Sequence, residues 1–106
     1  MKDFNNKIVA ITGAGSGMGR AYALEFAKLG ARLALNDYDE KGLAKTVEMV
    51  HNTAATEVFS AVFDVADRSA MEGFAADVKT SLGNAHVIIN NAGVSGDGKP
   101  VWATPL

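Results

Sequence analysis

Four glycines fall within nine residues in the segment TGAGSGMGR, residues 12–20. The segment follows a short apolar run and precedes a helical pattern. At such a place, free backbone N–H groups and the positive end of a helix dipole attract phosphate. A Cβ atom at Gly13 or Gly17 would obstruct the turn or the approach of a pyrophosphate, and Gly19 would let the helix pack close to the sheet. We therefore predict a phosphate-binding loop; a glycine-rich turn without a ligand is the alternative.

The spacing of these glycines is T-G-x-x-x-G-x-G, read from Thr12 through Gly13 and Gly17 to Gly19. The more familiar dinucleotide pattern, G-x-G-x-x-G, fits in no register of the segment. The glycines alone therefore indicate a dinucleotide only weakly, and residues at the ends of the other strands are needed.

Asp37 ends the second predicted strand, where a carboxylate can accept hydrogen bonds from the hydroxyls of the adenosine ribose. The same charge would repel a 2′-phosphate, and neither Ser16 in the glycine segment nor Tyr38 supplies a balancing positive charge. The predicted cofactor is therefore NAD rather than NADP. An aspartate that caps a helix or a turn is the alternative for Asp37.

Two more polar features follow predicted strands. Asp64 ends the third strand, where its carboxylate could accept a hydrogen bond from the adenine amino group and the N–H of Val65 could donate one to the adenine ring. The motif NNAG, residues 90–93, ends the fourth; its small residues would let backbone border the cofactor, and its asparagine amides would tie neighbouring loops together. Taken singly, a turn aspartate and an asparagine-rich turn are the alternatives. With the glycines and Asp37, they put four features at the ends of successive strands.

Strand and helix patterns alternate along the chain. Short β-branched or apolar runs predict four strands, over residues 7–12, 32–36, 57–63 and 86–90. The segments between them predict helices. The first, over about residues 18–29, carries so few charges that we expect it to be largely buried. Asp39 is expected to cap the second helix, and Ser69 with Glu72 forms a capping-box pattern for the third.

These elements must bring the strand ends together. Helix-length crossovers imply parallel strands, and right-handed crossovers place helices on both faces of the sheet. The strands are apolar enough for a sheet covered on both sides. We predict an α/β fold: a Rossmann-type doubly wound parallel sheet, truncated to β-α-β-α-β-α-β, with strand order 3-2-1-4 and the ligand at the switch point between strands 1 and 4.

Composition excludes several classes of function. The chain has 106 residues, 48% of them hydrophobic and 21% charged, with a net charge of −2, which is typical of one small globular domain. The charges are scattered, so we expect no nucleic-acid partner. Without cysteine, and with His51 and His86 lacking paired ligands, we expect no metal site. We expect no membrane partner and a cytoplasmic location, since no apolar run approaches membrane length and the start, MKDFNNK, does not resemble a signal peptide.

Together, TGAGSGMG, Asp37, Asp64 and NNAG resemble the classical branch of the short-chain dehydrogenase/reductase family, over residues 7 to about 94. The resemblance implies an NAD(P)-dependent oxidoreductase with a single Rossmann-type domain, usually dimeric or tetrameric, that moves hydride between nicotinamide and an alcohol or ketone. It implies that Thr12 bonds to the NNAG turn. It also implies a set of cofactor contacts: Gly13, Ser16, Gly17, Met18 and Gly19 at the pyrophosphate, Asp37 and Tyr38 at the ribose, Asp64 and Val65 at the adenine, and Asn90, Ala92 and Gly93 beside the nearer ribose.

The sequence departs from the family in its catalytic groups. The family uses a Tyr-x-x-x-Lys helix, a serine on the fifth strand and an asparagine on the fourth helix. Here Tyr22 and Tyr38 are followed four residues later by Phe26 and Gly42. We therefore expect residues 1–106 to be the N-terminal portion of one NAD(P)-binding Rossmann domain, with the cofactor site, no catalytic residue and no activity alone.

A nucleotide-binding or structural module that never catalyses would need the same site, whereas Asp64 and NNAG disfavour a methyltransferase. Trp102 follows NNAG on the side that borders substrate in the family, and a packing role is the alternative. The fourth strand would form an apolar sheet edge with unpaired backbone groups, so we expect self-association.

Overall fold

The computed structural model of the chain describes residues 4–91. Strands and helices alternate as predicted, and their bounds are β1 Ile8–Thr12, α1 Gly17–Lys28, β2 Arg32–Asp37, α2 Glu40–Thr53, β3 Val58–Val62, α3 Arg68–Ser81 and β4 Val87–Asn90. None of the helices in this range combines the length and the apolar character needed to cross a membrane.

The four strands form one parallel sheet in the order β3-β2-β1-β4. This confirms the predicted fold and strand order. The chain runs outward from β1 through β2 to β3 and then returns across the sheet to β4. The switch point between β1 and β4 therefore lies directly beside the end of β1, where the glycines are.

The two faces of the sheet have separate cores. Alternate strand residues, including Val9, Ile11, Leu33 and Leu35, pack with α1 and α2 on the first face. On the second face, Ile8, Ala10 and Ala34 pack with Phe74 and Val78 of α3; Phe59 and Ile88 lie against this cluster and are only half-buried.

The ends of the helices confirm one predicted cap and correct another. Asp39 caps α2, since its side chain accepts a hydrogen bond from the N–H of Gly42. For α3 the predicted capping box was wrong: Ser69 lies inside the helix, and Asp67 is the cap, accepting from the N–H of Ala70 at 3.0 Å. Asp67 comes first along the chain and offers a carboxylate, so the helix begins at Arg68, before the serine is reached.

Helix α1 is less buried than its sequence indicated. Gly19, Ala23 and Ala27 are fully buried, and they lie four residues apart on one side of the helix. Met18, Glu25 and Lys28 are exposed. The low charge of α1 therefore reflects small residues that allow close packing on one side, and the expectation of a largely buried helix was wrong.

Candidate dinucleotide-binding site

The carboxyl ends of all four strands meet at one edge of the sheet. Thr12 at the end of β1 pairs in register with Asn90 at the end of β4. Asp37 at the end of β2 pairs with Val62 at the end of β3, two residues before Asp64. The structure thus brings the predicted site residues within 4–91 to a single edge, as the parallel pairing of the strands requires. Ala92, Gly93 and Trp102 lie outside the described residues.

The segment that leads from β1 into the first turn of α1, residues 13–19, is here called the glycine loop. Gly13 and Gly17 have positive φ angles of 66° and 54°, in the left-handed region that favours glycine. A Cβ atom added to Gly17 would meet no atom within 4 Å, so its surroundings are open. The glycine loop therefore turns sharply and leaves free space at the start of α1.

Gly19 has a different role. A Cβ atom there would collide with the carbonyl oxygen of Gly13 and would lie 2.7 Å from its carbonyl carbon. Sequence reasoning expected Gly19 to allow close packing on the sheet. The structure shows that α1 packs directly on the backbone that leaves β1.

The N-terminus of α1 is open to an anion. Ser16 precedes the helix in an extended conformation, and its side chain makes no capping hydrogen bond within residues 4–91. The first turn contains no acidic residue, and Ser16, Gly17 and Met18 are all exposed. The first N–H groups of a helix have no partner inside it and carry a partial positive charge. This end of α1 can therefore accept a phosphate or pyrophosphate group.

Asp37, at the end of β2, accepts hydrogen bonds from two backbone N–H groups. It is only 7% exposed, and its Oδ2 accepts from the N–H of Gly15 at 2.7 Å. Its Oδ1 accepts from the N–H of Asp39 at 3.0 Å, as a turn aspartate does. The carboxylate therefore positions the glycine loop and the turn into α2, and its remaining lone pairs can accept further hydrogen bonds. Tyr38 beside it is 78% exposed.

Asp64 and Val65 follow β3 on the same side of the site. Asp64 is exposed, and its Oδ1 accepts from the N–H of Ala66 at 2.9 Å, so it is also a turn aspartate. Asn36 holds this segment against β2, because its amide donates to the carbonyl of Phe63 at 3.0 Å. Turn formation leaves the second oxygen of Asp64 able to accept a hydrogen bond.

The turn after β4 contacts the glycine loop. The amide of Asn91 donates to the carbonyl of Gly13 at 3.1 Å, which confirms that an asparagine of the NNAG motif ties the two loops together. Asn90 is exposed at the end of β4. Near the opposite end of the same strand, Nδ1 of His86 accepts from the N–H of Ile8 at 3.0 Å, so His86 has a structural role.

Sequence reasoning missed two residues that contact the glycine loop. Arg20 of α1 donates to the carbonyl of Gly15 at 2.7 Å and to the hydroxyl of Thr46 at 2.9 Å. Thr46 of α2 is completely buried, and its hydroxyl lies 2.7 Å from the carbonyl of Ala14. These residues are 26 positions apart, and no local spacing pattern points to their contact.

The arrangement is suited to binding. An exposed helix N-terminus, an open glycine turn and a carboxylate at the end of β2 fit the diphosphate and ribose of an adenine dinucleotide. Among the described residues, no group of three histidine, aspartate or glutamate side chains could hold a metal ion. Tyr22 and Tyr38, the tyrosines in the described range, have no lysine four residues later.

Comparison with known proteins points in the same direction. The family model for short chain dehydrogenases matches residues 7–103. The SadH protein of Mycobacterium tuberculosis is 45% identical over 98 residues, which cover 92% of this chain and 35% of that protein. Human epidermal retinol dehydrogenase 2 (Homo sapiens) is 40% identical over 93 residues, covering 88% of this chain and 30% of the relative.

A solved structure matches as well. A short-chain dehydrogenase/reductase from Burkholderia phymatum, determined in complex with NAD, superposes with a TM-score of 0.77 and 38% identity. The match covers 83% of this chain and 31% of that protein. The chain therefore spans about a third of the length of the relatives it matches.

Proposed function

The chain belongs to the short-chain dehydrogenase family, and on that basis we propose that it carries the dinucleotide site of an NAD-dependent oxidoreductase. Residues 1–106 would form the N-terminal portion of a single Rossmann domain. The bound nicotinamide would exchange a hydride with an alcohol or ketone. The role of this chain's own residues is to bind and orient the adenosine diphosphate half of the cofactor.

One observation carries the proposal: the open N-terminus of α1 and the carboxylate of Asp37 both adjoin the glycine loop. The exposed residues Ser16, Gly17 and Met18 present the start of the helix, whereas Asp37 contacts the loop through Gly15. A dinucleotide has the matching sequence of groups, an anionic pyrophosphate followed by a ribose with two hydroxyls.

We assign the cofactor contacts residue by residue, following the family resemblance. The pyrophosphate would be bound by the glycine loop, the adenosine ribose by the end of β2, the adenine by the segment after β3, and the nearer ribose by the turn after β4. The residues assigned are Gly13, Ser16, Gly17, Met18, Gly19, Asp37, Tyr38, Asp64, Val65, Asn90, Ala92 and Gly93.

Met18→Glu tests the pyrophosphate site sharply. Met18 is 62% exposed in the first turn of α1, so a carboxylate there would interact favourably with the helix dipole and leave the fold intact. The same carboxylate would repel a pyrophosphate. We expect Met18→Glu to weaken NADH binding at least about tenfold, in a titration of NADH fluorescence, without lowering the melting temperature. Met18→Gln is the neutral control and should bind like the unaltered chain; equal binding by both variants would refute the pyrophosphate assignment.

We also propose a preference for NAD over NADP. A 2′-phosphate would approach the carboxylate of Asp37 and be repelled by it. Arg20 does not offset the negative charge of this carboxylate, because its guanidinium donates to the carbonyls of Gly15 and Gly42 and to the Thr46 hydroxyl. The same titration with NADPH should give a dissociation constant at least about tenfold higher than NADH gives. Similar constants for the two cofactors would contradict the preference.

The second candidate is a dinucleotide-binding module that does not catalyse. It shares the site described above, so binding data do not separate the two. In either case we expect no NADH formation by the 106-residue chain with secondary alcohols, since the sequence contains no Tyr-x-x-x-Lys motif. An in-frame Tyr-x-x-x-Lys motif in the coding DNA after Leu106 would favour the enzyme, and its absence would favour the module.

Two further expectations stay proposals. In the part of the chain that the structure describes, β4 pairs with β1 alone, and its outer edge presents backbone groups of an apolar strand. We propose that the chain self-associates through this edge, and a monodisperse monomer in sedimentation velocity would contradict it. The cytoplasmic location predicted from the sequence stays a prediction, to be checked by fractionating the source cells.

A further inference from the structure

We infer that Arg20 and Thr46 are positioning residues that set the orientation of two peptide groups in the glycine loop, and that dinucleotide affinity depends on them. The inference rests on the proposed function, because it concerns the same site. Neither residue is among the cofactor contacts assigned above, and both lie on the side of the loop that faces α2.

Arg20 binds the loop and α2 together. One nitrogen, Nη2, donates to the carbonyl of Gly15 at 2.7 Å and to the carbonyl of Gly42 at 3.1 Å. The second, Nε, donates to the Thr46 hydroxyl. Gly42 lets α2 come this near, because a Cβ atom on it would lie 2.6 Å from the carbonyl oxygen of Gly15. A planar guanidinium suits such a geometry, since its donors are fixed relative to one another.

Thr46 extends the same set of contacts to the preceding peptide group. Its hydroxyl has one hydrogen to donate, and the carbonyl of Ala14 at 2.7 Å is nearer than that of Gly42 at 3.2 Å. The hydroxyl oxygen accepts from Nε of Arg20 at 2.9 Å. The side chain is fully buried, so losing this hydroxyl would leave the carbonyl of Ala14 without its partner in a place that water does not reach.

The two peptide groups are therefore fixed in different ways. The group between Ala14 and Gly15 is held at both ends: its carbonyl accepts a hydrogen bond from the Thr46 hydroxyl, and its N–H donates one to the carboxylate of Asp37. The group between Gly15 and Ser16 is held by Arg20 at its carbonyl. Because a trans peptide is planar and its N–H points opposite to its carbonyl, this contact directs the Ser16 N–H away from Arg20.

The consequence is a preformed anion site. Ser16 is exposed at the N-terminus of α1, where its N–H joins the first N–H groups of the helix. Without the Arg20–Thr46 pair, the group between Ala14 and Gly15 would be held by Asp37 alone, and the group between Gly15 and Ser16 would lose its contact to Arg20. The cofactor would then have to restore their orientation on binding. Part of the binding free energy would then be used for ordering.

The test compares three variants of α2. Thr46→Val removes the hydroxyl at nearly constant volume, Thr46→Ser keeps it, and Thr53→Val removes a hydroxyl that bonds only to its own helix, through the carbonyl of Met49 at 2.8 Å. In NADH titrations we expect Thr46→Val to bind about tenfold more weakly, and Thr46→Ser and Thr53→Val to stay within about twofold of the unaltered chain. Arg20→Met should weaken NADH binding by a similar factor, and it takes the place of Thr46→Val in the test if that variant does not fold.

A second measurement separates this inference from the proposed function. Amide hydrogen exchange of Gly15 in the cofactor-free chain should become about tenfold faster in Thr46→Val and Arg20→Met, and stay unchanged in Thr53→Val. If the unaltered chain does not bind NADH, the proposed function fails, and the exchange rates still decide whether the pair fixes the loop. If Thr46→Val and Arg20→Met bind NADH as tightly as the unaltered chain, or if exchange is unchanged, the inference is wrong.

Discussion

The two faces of the sheet are filled unequally. On the face covered by α1 and α2, strand residues such as Leu33 and Leu35 have no exposed surface. The outer strands β3 and β4 contribute half-buried residues to both faces, Val58 and Ile89 to this face and Phe59 and Ile88 to the face covered by α3. A groove of about 380 Å³ lies beside α3, with Phe74, Val78 and Ile88 among its lining residues. Tight packing is thus concentrated where the chain forms β1-α1-β2-α2.

The polar contacts of the site show the same difference. Buried or half-buried side chains of Arg20, Asp37 and Thr46 fix the glycine loop from the α2 side. From the β4 side, among the described residues, the amide of Asn91 supplies the side-chain contact to the loop. The part of the site proposed for the pyrophosphate is thus held mainly by side chains of α1, β2 and α2, and less by β4.

Gly19→Ala should have the largest effect on stability. The added methyl group collides with backbone of Gly13, which cannot move without disturbing β1. We expect a loss of at least about 3 kcal/mol in the free energy of unfolding, measured by urea denaturation.

Gly73→Ala is the matched control on the other face. Gly73 lies in the interior of α3, is exposed, and has no atom within 4 Å of an added Cβ. Alanine favours a helix over glycine, so this variant should gain about 0.5–1 kcal/mol. A mild effect of Gly19→Ala, similar to that of Gly73→Ala, would show that α1 does not pack on the loop as tightly as described.

Val50→Ala and Val78→Ala compare the two faces directly. Val50 of α2 is 0% exposed and Val78 of α3 is 4% exposed, so both are buried helix residues of the same size. We expect Val50→Ala to cost about 2–3 kcal/mol, since a void in a tight core stays unfilled. Val78 already lines the groove beside α3, so its loss should cost about 1–2 kcal/mol. If urea denaturation gives the two variants equal losses of unfolding free energy, the two faces are packed equally tightly.

The sequence was sufficient to predict the secondary-structure elements and their arrangement in the sheet. Helix-length crossovers and their handedness implied a parallel sheet with helices on both faces, and the doubly wound fold that has these features has the order β3-β2-β1-β4. Asp39 was found as a cap because its signal is local, an aspartate just before a helical pattern. The same local logic failed at α3, where Asp67 and Ser69 are both acceptable caps and spacing alone does not choose between them.

The internal contacts of the site could not be predicted. Asp37 was located at the end of β2, yet its bond to the N–H of Gly15 spans 22 positions and depends on the final position of the loop. Arg20 and Thr46 follow no motif; α1 and α2 bring them together only by packing on the same face of the sheet. Local patterns identify elements and strand ends, whereas hydrogen bonds between distant elements are decided by tertiary packing.

Asn91→Ala should have the smallest effect and is the most direct test of the β4 side. It removes one half-buried hydrogen bond, from the Asn91 amide to the carbonyl of Gly13 at 3.1 Å, and water can replace the donor. We expect a cost of about 0.5–1 kcal/mol in urea denaturation. Asn52→Ala, at an exposed position in α2, is the control and should cost nothing, because alanine is the better helix former. If Asn91→Ala costs as much as Thr46→Val in the same denaturation, the turn after β4 is as essential to the loop as the Thr46 hydroxyl of α2 is, and the two sides of the site are held equally.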